Sequence, residues 1–219
     1  MIFLVEKICN KLTQKIRKEM PEVDDERAEV INYGLQVLLG EIPKNLIIIL
    51  TSYLLGILRL TFFTILAILP YRYFAGGVHL KTHIGCIVST HIFYMGTIFI
   101  SQTVVFNELF IKYIVVSAIW ILSVIMITLY APADTENKPI LRKKERKLKR
   151  NCSYITMTGT LIVALFIENS VLANILIFGT LAQTIMITRL IYKITNNKYG
   201  HEINNKRRDP LQDTQSLLL

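Results

Sequence analysis

Residues 72–86 read RYFAGGVHLKTHIGC, and the next twenty, IVSTHIFYMGTIFISQTVVF, carry no formal charge. A helix of about 20 apolar residues spans a bilayer, so the second stretch is a membrane-span candidate and sets the fold class. The first stretch then lies at the edge of hydrocarbon. It holds an arginine, two histidines, a cysteine and a glycine pair within fifteen residues. Polar, reactive groups are costly in that position, which makes the cluster a candidate functional site.

Cys86 opens the apolar run, and a cysteine so placed is commonly a small buried hydrophobe. A neighbouring base changes that reading, because a stabilised thiolate is a nucleophile. Two histidines precede it. On one continuous helix His83, three residues away, shares its face. His79 shares that face too, yet seven residues rise about 10.5 Å, beyond hydrogen-bond reach. His79 can serve only if the backbone breaks before Cys86, and Gly76–Gly77 and Gly85 are places where it could. Spacing alone favours His83.

Arg72, Gly76, Gly77, His79 and Cys86 together spell R-x3-GG-x-H-x6-C, a pattern that resembles the accessory gene regulator protein B (AgrB) family. A second patch, APADTENKP at 131–139, is similar to that family's loop through Pro132, Asp134, Lys138 and Pro139. The similarity extends through hydropathy over residues 1–195. AgrB proteins are membrane-embedded cysteine endopeptidases that process the precursor of a bacterial quorum-sensing peptide. The resemblance implies Cys86 as nucleophile and His79 as base, hence a bent backbone, with His83 as second choice. Arg72, Gly76, Gly77, Asp134 and Lys138 become supporting or substrate-binding residues. Arg72 either stabilises the thiolate, holds a substrate carboxylate or marks the interface. Asp134 either orients His79, binds basic substrate residues or caps its loop. The substrate implied is a propeptide of the AgrD type, cleaved through a Cys86 thioester and closed to a thiolactone or lactone, with no cofactor and no metal.

Composition agrees with a membrane setting. Of 219 residues 52% are hydrophobic, too apolar for an ordinary soluble domain. The formal charge is +9, but the basic residues sit beside apolar spans, where they mark the cytoplasmic face rather than a nucleic-acid site. Three cysteines, Cys9, Cys86 and Cys152, lack the spacing of a disulfide framework. Neither a Walker sequence nor a dinucleotide fingerprint is present.

The first twenty residues do not read as a signal peptide, since the opening apolar run is too short. Ile2, Val5, Cys9, Leu12 and Ile16 instead repeat at helical steps with Lys7, Lys11, Lys15 and Lys18 off the stripe. The expectation is a basic amphipathic helix lying on anionic lipid, the alternative a helix packed on its own protein. A short helix over 27–39, ending at Gly40, Glu41 and Pro43, follows. Residues 45–58 and 60–71 then form a helical hairpin turned at Arg59. Residues 87–106 and 113–133 are the clearest spans, and 153–167 with 170–188 form a second hairpin turned at Glu168–Asn169. Between them, 138–150 carries eight basic residues and one acidic and reads as a cytoplasmic loop.

The expected fold is therefore all-α: a polytopic membrane protein of about six transmembrane helices with an N-terminal interfacial helix. Residues 1–195 form one membrane-embedded domain, containing the interfacial helix 1–20 and the basic loop 132–151. Residues 196–219 form a polar tail, disordered over 209–219. With the basic loop inside, the span from 87 runs outward, so both termini and Cys86 face the cytoplasm of a bacterial cell. Expected partners are the propeptide, anionic membrane lipids and a second copy of the chain, without nucleic acid. Two other classes fit some features. His79, His83 and Cys86 form H-x3-H-x2-C, a spacing that could hold zinc in a metal-dependent membrane protease, although no glutamate follows His79 to act as base. Polar groups among spans also suit a non-enzymatic transporter.

Overall fold

The computed structural model describes residues 2–20, 22–78, 80, 83–106, 108–135 and 139–203. Among these residues the named helices follow in order: α1 Ile2–Glu19, α2 Asp25–Leu54, α3 Leu58–Ala75, α4 His83–Thr103, α5 Leu109–Tyr130, α6 Lys143–Phe166, α7 Ser170–Met186 and α8 Arg189–Ile194. An isolated β-bridge joins Gly76 and Ala133. The fold is all-α, as the apolar runs imply, because backbone polar groups in lipid must be satisfied within the segment. Leu58–Ala75, Ile84–Thr103 and Leu109–Tyr130 are long and apolar enough to cross a membrane. Ile42–Leu54 and Ser170–Met186 are shorter apolar helices.

The chain divides into two compact units, Met1–Leu58 with Thr82–Ile87, and Arg59–Lys81 with Val88–Leu219. In the first, α1 and α2 run antiparallel: Arg17 pairs with Asp25 at 2.7 Å and Asn32 donates to Asn10 at 2.7 Å. Asp24 caps α2 by accepting from the Arg27 amide at 2.8 Å, a standard way to satisfy an orphan donor. Cys9 and Thr13 are buried on α1, while Lys7, Lys11, Lys15 and Lys18 are exposed. The helix thus packs on its own protein along one stripe and keeps its basic face outward.

Two sequence expectations need correction here. α2 does not stop at Gly40 or Pro43 but runs through both to Leu54. A proline removes one helical hydrogen bond, whereas a full break beside an apolar stretch would strand several more backbone groups. The break between α2 and α3 falls at 55–57, not at Arg59. Gly56 adopts φ +68°, and Ile57 N donates to Ser52 O at 2.9 Å, the glycine-terminated helix end that left-handed backbone allows.

In the second unit α5, α6 and α7 pack pairwise. α7 is the most enclosed helix, with Asn174, Gly179, Thr180, Gln183 and Thr184 all buried. Gly179 lets α7 approach α3 closely, since a Cβ there would lie 2.7 Å from Ile68 Cδ1 of α3 and that side chain would have to shift. Polar side chains in this core are paired. Thr184 meets Tyr71 at 2.9 Å and Ser123 at 2.8 Å, while Asn174 donates to Ser101 O and Val104 O.

The basic segment is a further correction. Residues 143–150 are not loop but the first two turns of α6, continuous with the apolar part. Lys, Arg and Glu are good helix formers, and Glu145 pairs with Lys149 at 3.3 Å one turn on. α4 and α5 also begin about four residues before the expected spans. Ala131, at φ −81° and ψ 147°, ends α5 because the residue before a proline avoids the helical region.

Candidate active site

The R-x3-GG motif begins in the last turn of α3 and ends in a backbone reversal. Gly76 N donates to Arg72 O at 3.0 Å, and then Gly76 takes φ +76° and Gly77 φ +145°. Side-chain-bearing residues rarely adopt either value. Space demands glycine at 76 as well, since a Cβ would run into the Ala133 carbonyl oxygen. That contact joins the two patches singled out in the sequence. Ala133 N donates to Ala75 O at 2.8 Å, and Gly77 N donates to Ala133 O at 3.0 Å.

The same turn is held from α7. Gln183 Nε2 donates to Gly76 O at 2.8 Å, and Gln183 Oε1 accepts from Arg72 Nη1 at 3.2 Å. Val78 N reaches Met186 O at 3.4 Å. The Arg72 guanidinium also lies over the Phe93 ring, 5.7 Å from its centroid, within cation–π range. Arg72 is half-buried within the second unit. Its partners there give it a fixed orientation at the start of the motif.

Asp134 is the hub of the neighbouring loop. Its side chain has no solvent exposure. Oδ2 accepts from the amides of Ile140 at 2.9 Å and His201 at 3.0 Å, and from Arg146 Nη1 at 3.4 Å. Oδ1 lies 2.7 Å from His201 Nδ1. The Asp134 carbonyl accepts from Tyr192 Oη at 3.1 Å, and Arg150 Nε donates to Ala131 O at 2.8 Å. A buried carboxylate requires such pairing. Its oxygens are occupied by the loop, by α6 and by the segment after α8. Burial pulls the Arg146 guanidinium below its ordinary value, and Asp134 opposes that shift. Burial also pushes the Tyr192 and Tyr199 phenols well up, so both stay protonated.

That last segment belongs to the polar tail expected from the sequence. Within it, Tyr199 stacks on Tyr192 at 4.2 Å and donates to Ile187 O at 2.9 Å. A Cβ at Gly200 would meet Thr135 O. Gln183, Tyr192, Tyr199 and His201 were therefore missed as parts of this site. No local motif marks them, though a glutamine in an apolar helix was a signal that a polar partner must exist.

Cys86 lies in the first turn of α4, which begins at His83, two residues before Gly85. It is half-buried, as is Cys152 in the interior of α6, while Cys9 is fully buried. Among the described residues, which include all three cysteines, no disulfide forms. Leu80 is not helical, so no single helix joins α3 to Cys86. His79 and Lys138 lie outside the described residues, as do the side chain of His83 and the tail beyond 203.

The structure is that of an all-α membrane protein with a glycine reversal pinned to a buried polar cluster. The sequence profile of Accessory gene regulator B matches residues 9–187. An AgrB-like protein of Listeria welshimeri serovar 6b is 30% identical over 188 residues, covering 84% of this chain and 88% of its own. One from Clostridium acetobutylicum is 26% identical over 199 residues, covering 90% and 91%. A third, from Clostridium beijerinckii, is 29% identical over 174 residues, covering 77% and 83%. No solved structure matches. The chain belongs to the AgrB family, which takes part in accessory gene regulator quorum sensing.

Proposed function

We propose that this chain is a cysteine endopeptidase that cleaves a quorum-sensing propeptide of the AgrD type. The observation that supports it best is the position of Cys86. Of the three cysteines it alone lies in the first turn of a helix. The positive end of the helix dipole favours negative charge, the charge a thiolate nucleophile carries. Cys9 is buried and Cys152 lies mid-helix, where no such field acts.

In the first step the Cys86 thiolate attacks the scissile carbonyl and the oxyanion collapses with loss of the C–N bond. His79 hands a proton to the leaving amine, and the N-terminal part of the propeptide remains as a thioester. A thiol or hydroxyl within that peptide then gives its proton to His79 and displaces Cys86, closing a thiolactone or lactone and regenerating the thiolate. Water must be kept from the thioester for the ring to win over hydrolysis, and a site at the membrane edge favours that outcome. Arg72, Gly76, Gly77, Asp134 and Lys138 support this chemistry or bind substrate, with His83 the second candidate for base.

The chain crosses the bacterial cell membrane several times, with both termini and Cys86 toward the cytoplasm, where the propeptide is made. Its exposed lysines on α1 meet anionic lipid, and a second copy of the chain is a further partner. Co-expression with the candidate precursor encoded beside this chain tests the reading. Mass spectrometry should find the cleaved peptide with the parent chain, and with Cys9→Ala or Cys152→Ala, but not with Cys86→Ala.

A further inference from the structure

We infer that Gln183 is a positioning residue for this reaction, an inference that rests on the cysteine-peptidase reading above. Gln183 has no solvent exposure, and it sits in α7, a mainly apolar helix. A methionine of similar volume would fill the space without the cost of burying an amide. Both ends of the amide are instead spent on the R-x3-GG motif, 107 and 111 residues away in sequence. Its orientation is forced, because an arginine can only donate and a carbonyl can only accept. Oε1 must therefore face Arg72 and Nε2 must face Gly76 O.

The consequence is mechanical. Gly76 and Gly77 have positive φ, and a glycine pair left to itself is conformationally permissive. Ala133 holds their backbone from one side and Gln183 holds the Gly76 carbonyl from the other. Together they fix the direction in which the chain leaves α3 toward His79. The adjacent Thr184, bonded to Tyr71 and Ser123, keeps α7 in register so that Gln183 meets the turn. Gln183 acts through the turn and touches no reacting atom.

The test uses the full chain in proteoliposomes with the candidate precursor as substrate. Gln183→Met keeps volume and deletes both hydrogen bonds. A displacement of about 1 Å at a reacting group costs on the order of 10²-fold, so kcat should fall about tenfold or more while KM stays within about twofold. Amide exchange over residues 72–80 should quicken, with α5 and α6 unchanged. Gln183→Asn, whose shorter amide cannot reach Gly76, should give the same split and decides the matter if the methionine variant does not fold. An unchanged kcat, a change in KM alone, or faster exchange spread through every helix would overturn the inference. Cys86→Ala run alongside separates the two readings. Cleavage by Cys86→Ala removes the cysteine peptidase itself, whereas full activity of Gln183→Met beside an inactive Cys86→Ala removes only the role of Gln183.

Discussion

Replacing Asp134 with alanine should destabilise the protein by about 3–5 kcal/mol, the range found when one member of a buried charged pair is removed. The carboxylate is fully enclosed and accepts from two backbone amides, Ile140 and His201, at 2.9 and 3.0 Å. Each stranded buried donor costs roughly 1–3 kcal/mol. Arg146 and His201 lose partners too, but their side chains are 18% and 24% exposed and can turn to water, so the two amides carry most of the loss. Thermal unfolding in detergent reads the total. Amide exchange at Ile140 and His201 reads the location, and both should lose protection first. A midpoint unchanged within about 1 kcal/mol, or protection at Ile140 and His201 that persists in Asp134→Ala, would refute the assignment of Asp134 as the anchor of its loop.

Gly76→Ala should lower both stability and cleavage, since it adds left-handed strain of about 1–2 kcal/mol to a collision with the Ala133 carbonyl; parent-like unfolding and turnover would contradict the bridge. His79→Ala should remove cleavage, with a loss of about 10²–10⁴ in rate, and His83→Ala should keep most of it. The reverse pattern in the same mass assay would identify the other histidine as base. Cysteine-accessibility mapping in whole cells should leave a probe at Lys144 unlabelled by an impermeant reagent and label one at residues 107–112. Labelling at Lys144 from outside would overturn the topology.

Much of the helical framework was legible because membrane-length apolar runs admit few alternatives. Residues 87–106 and the turn at Glu168–Asn169 are examples: hydropathy marks the first, and Asn169 caps α7 through the Leu172 amide at 3.1 Å. The break after α3 was legible from the glycine pair. Helix ends were less so. Pro43 is a strong local stop signal, yet α2 passes through it, because apolar flanks reward an unbroken ladder more than proline penalises it. The charges of 143–150 suggested loop, although the same residue types favour helix once Asp134 and Ala131 O pair with Arg146 and Arg150. The site's supports were hidden for another reason. His201 and Gln183 meet their partners across 67 and 107 residues, and no spacing rule spans such distances without the tertiary fold.

The most direct test of the central claim is to trap the acyl-enzyme. The purified chain in proteoliposomes is mixed with the candidate precursor, quenched in acid and weighed intact. The account predicts an adduct equal in mass to the N-terminal part of the propeptide less the elements of water, localised to Cys86 and released by hydroxylamine, with neither adduct nor cleavage in Cys86→Ala. Cleavage that persists in Cys86→Ala, or an adduct on any other residue, would contradict it.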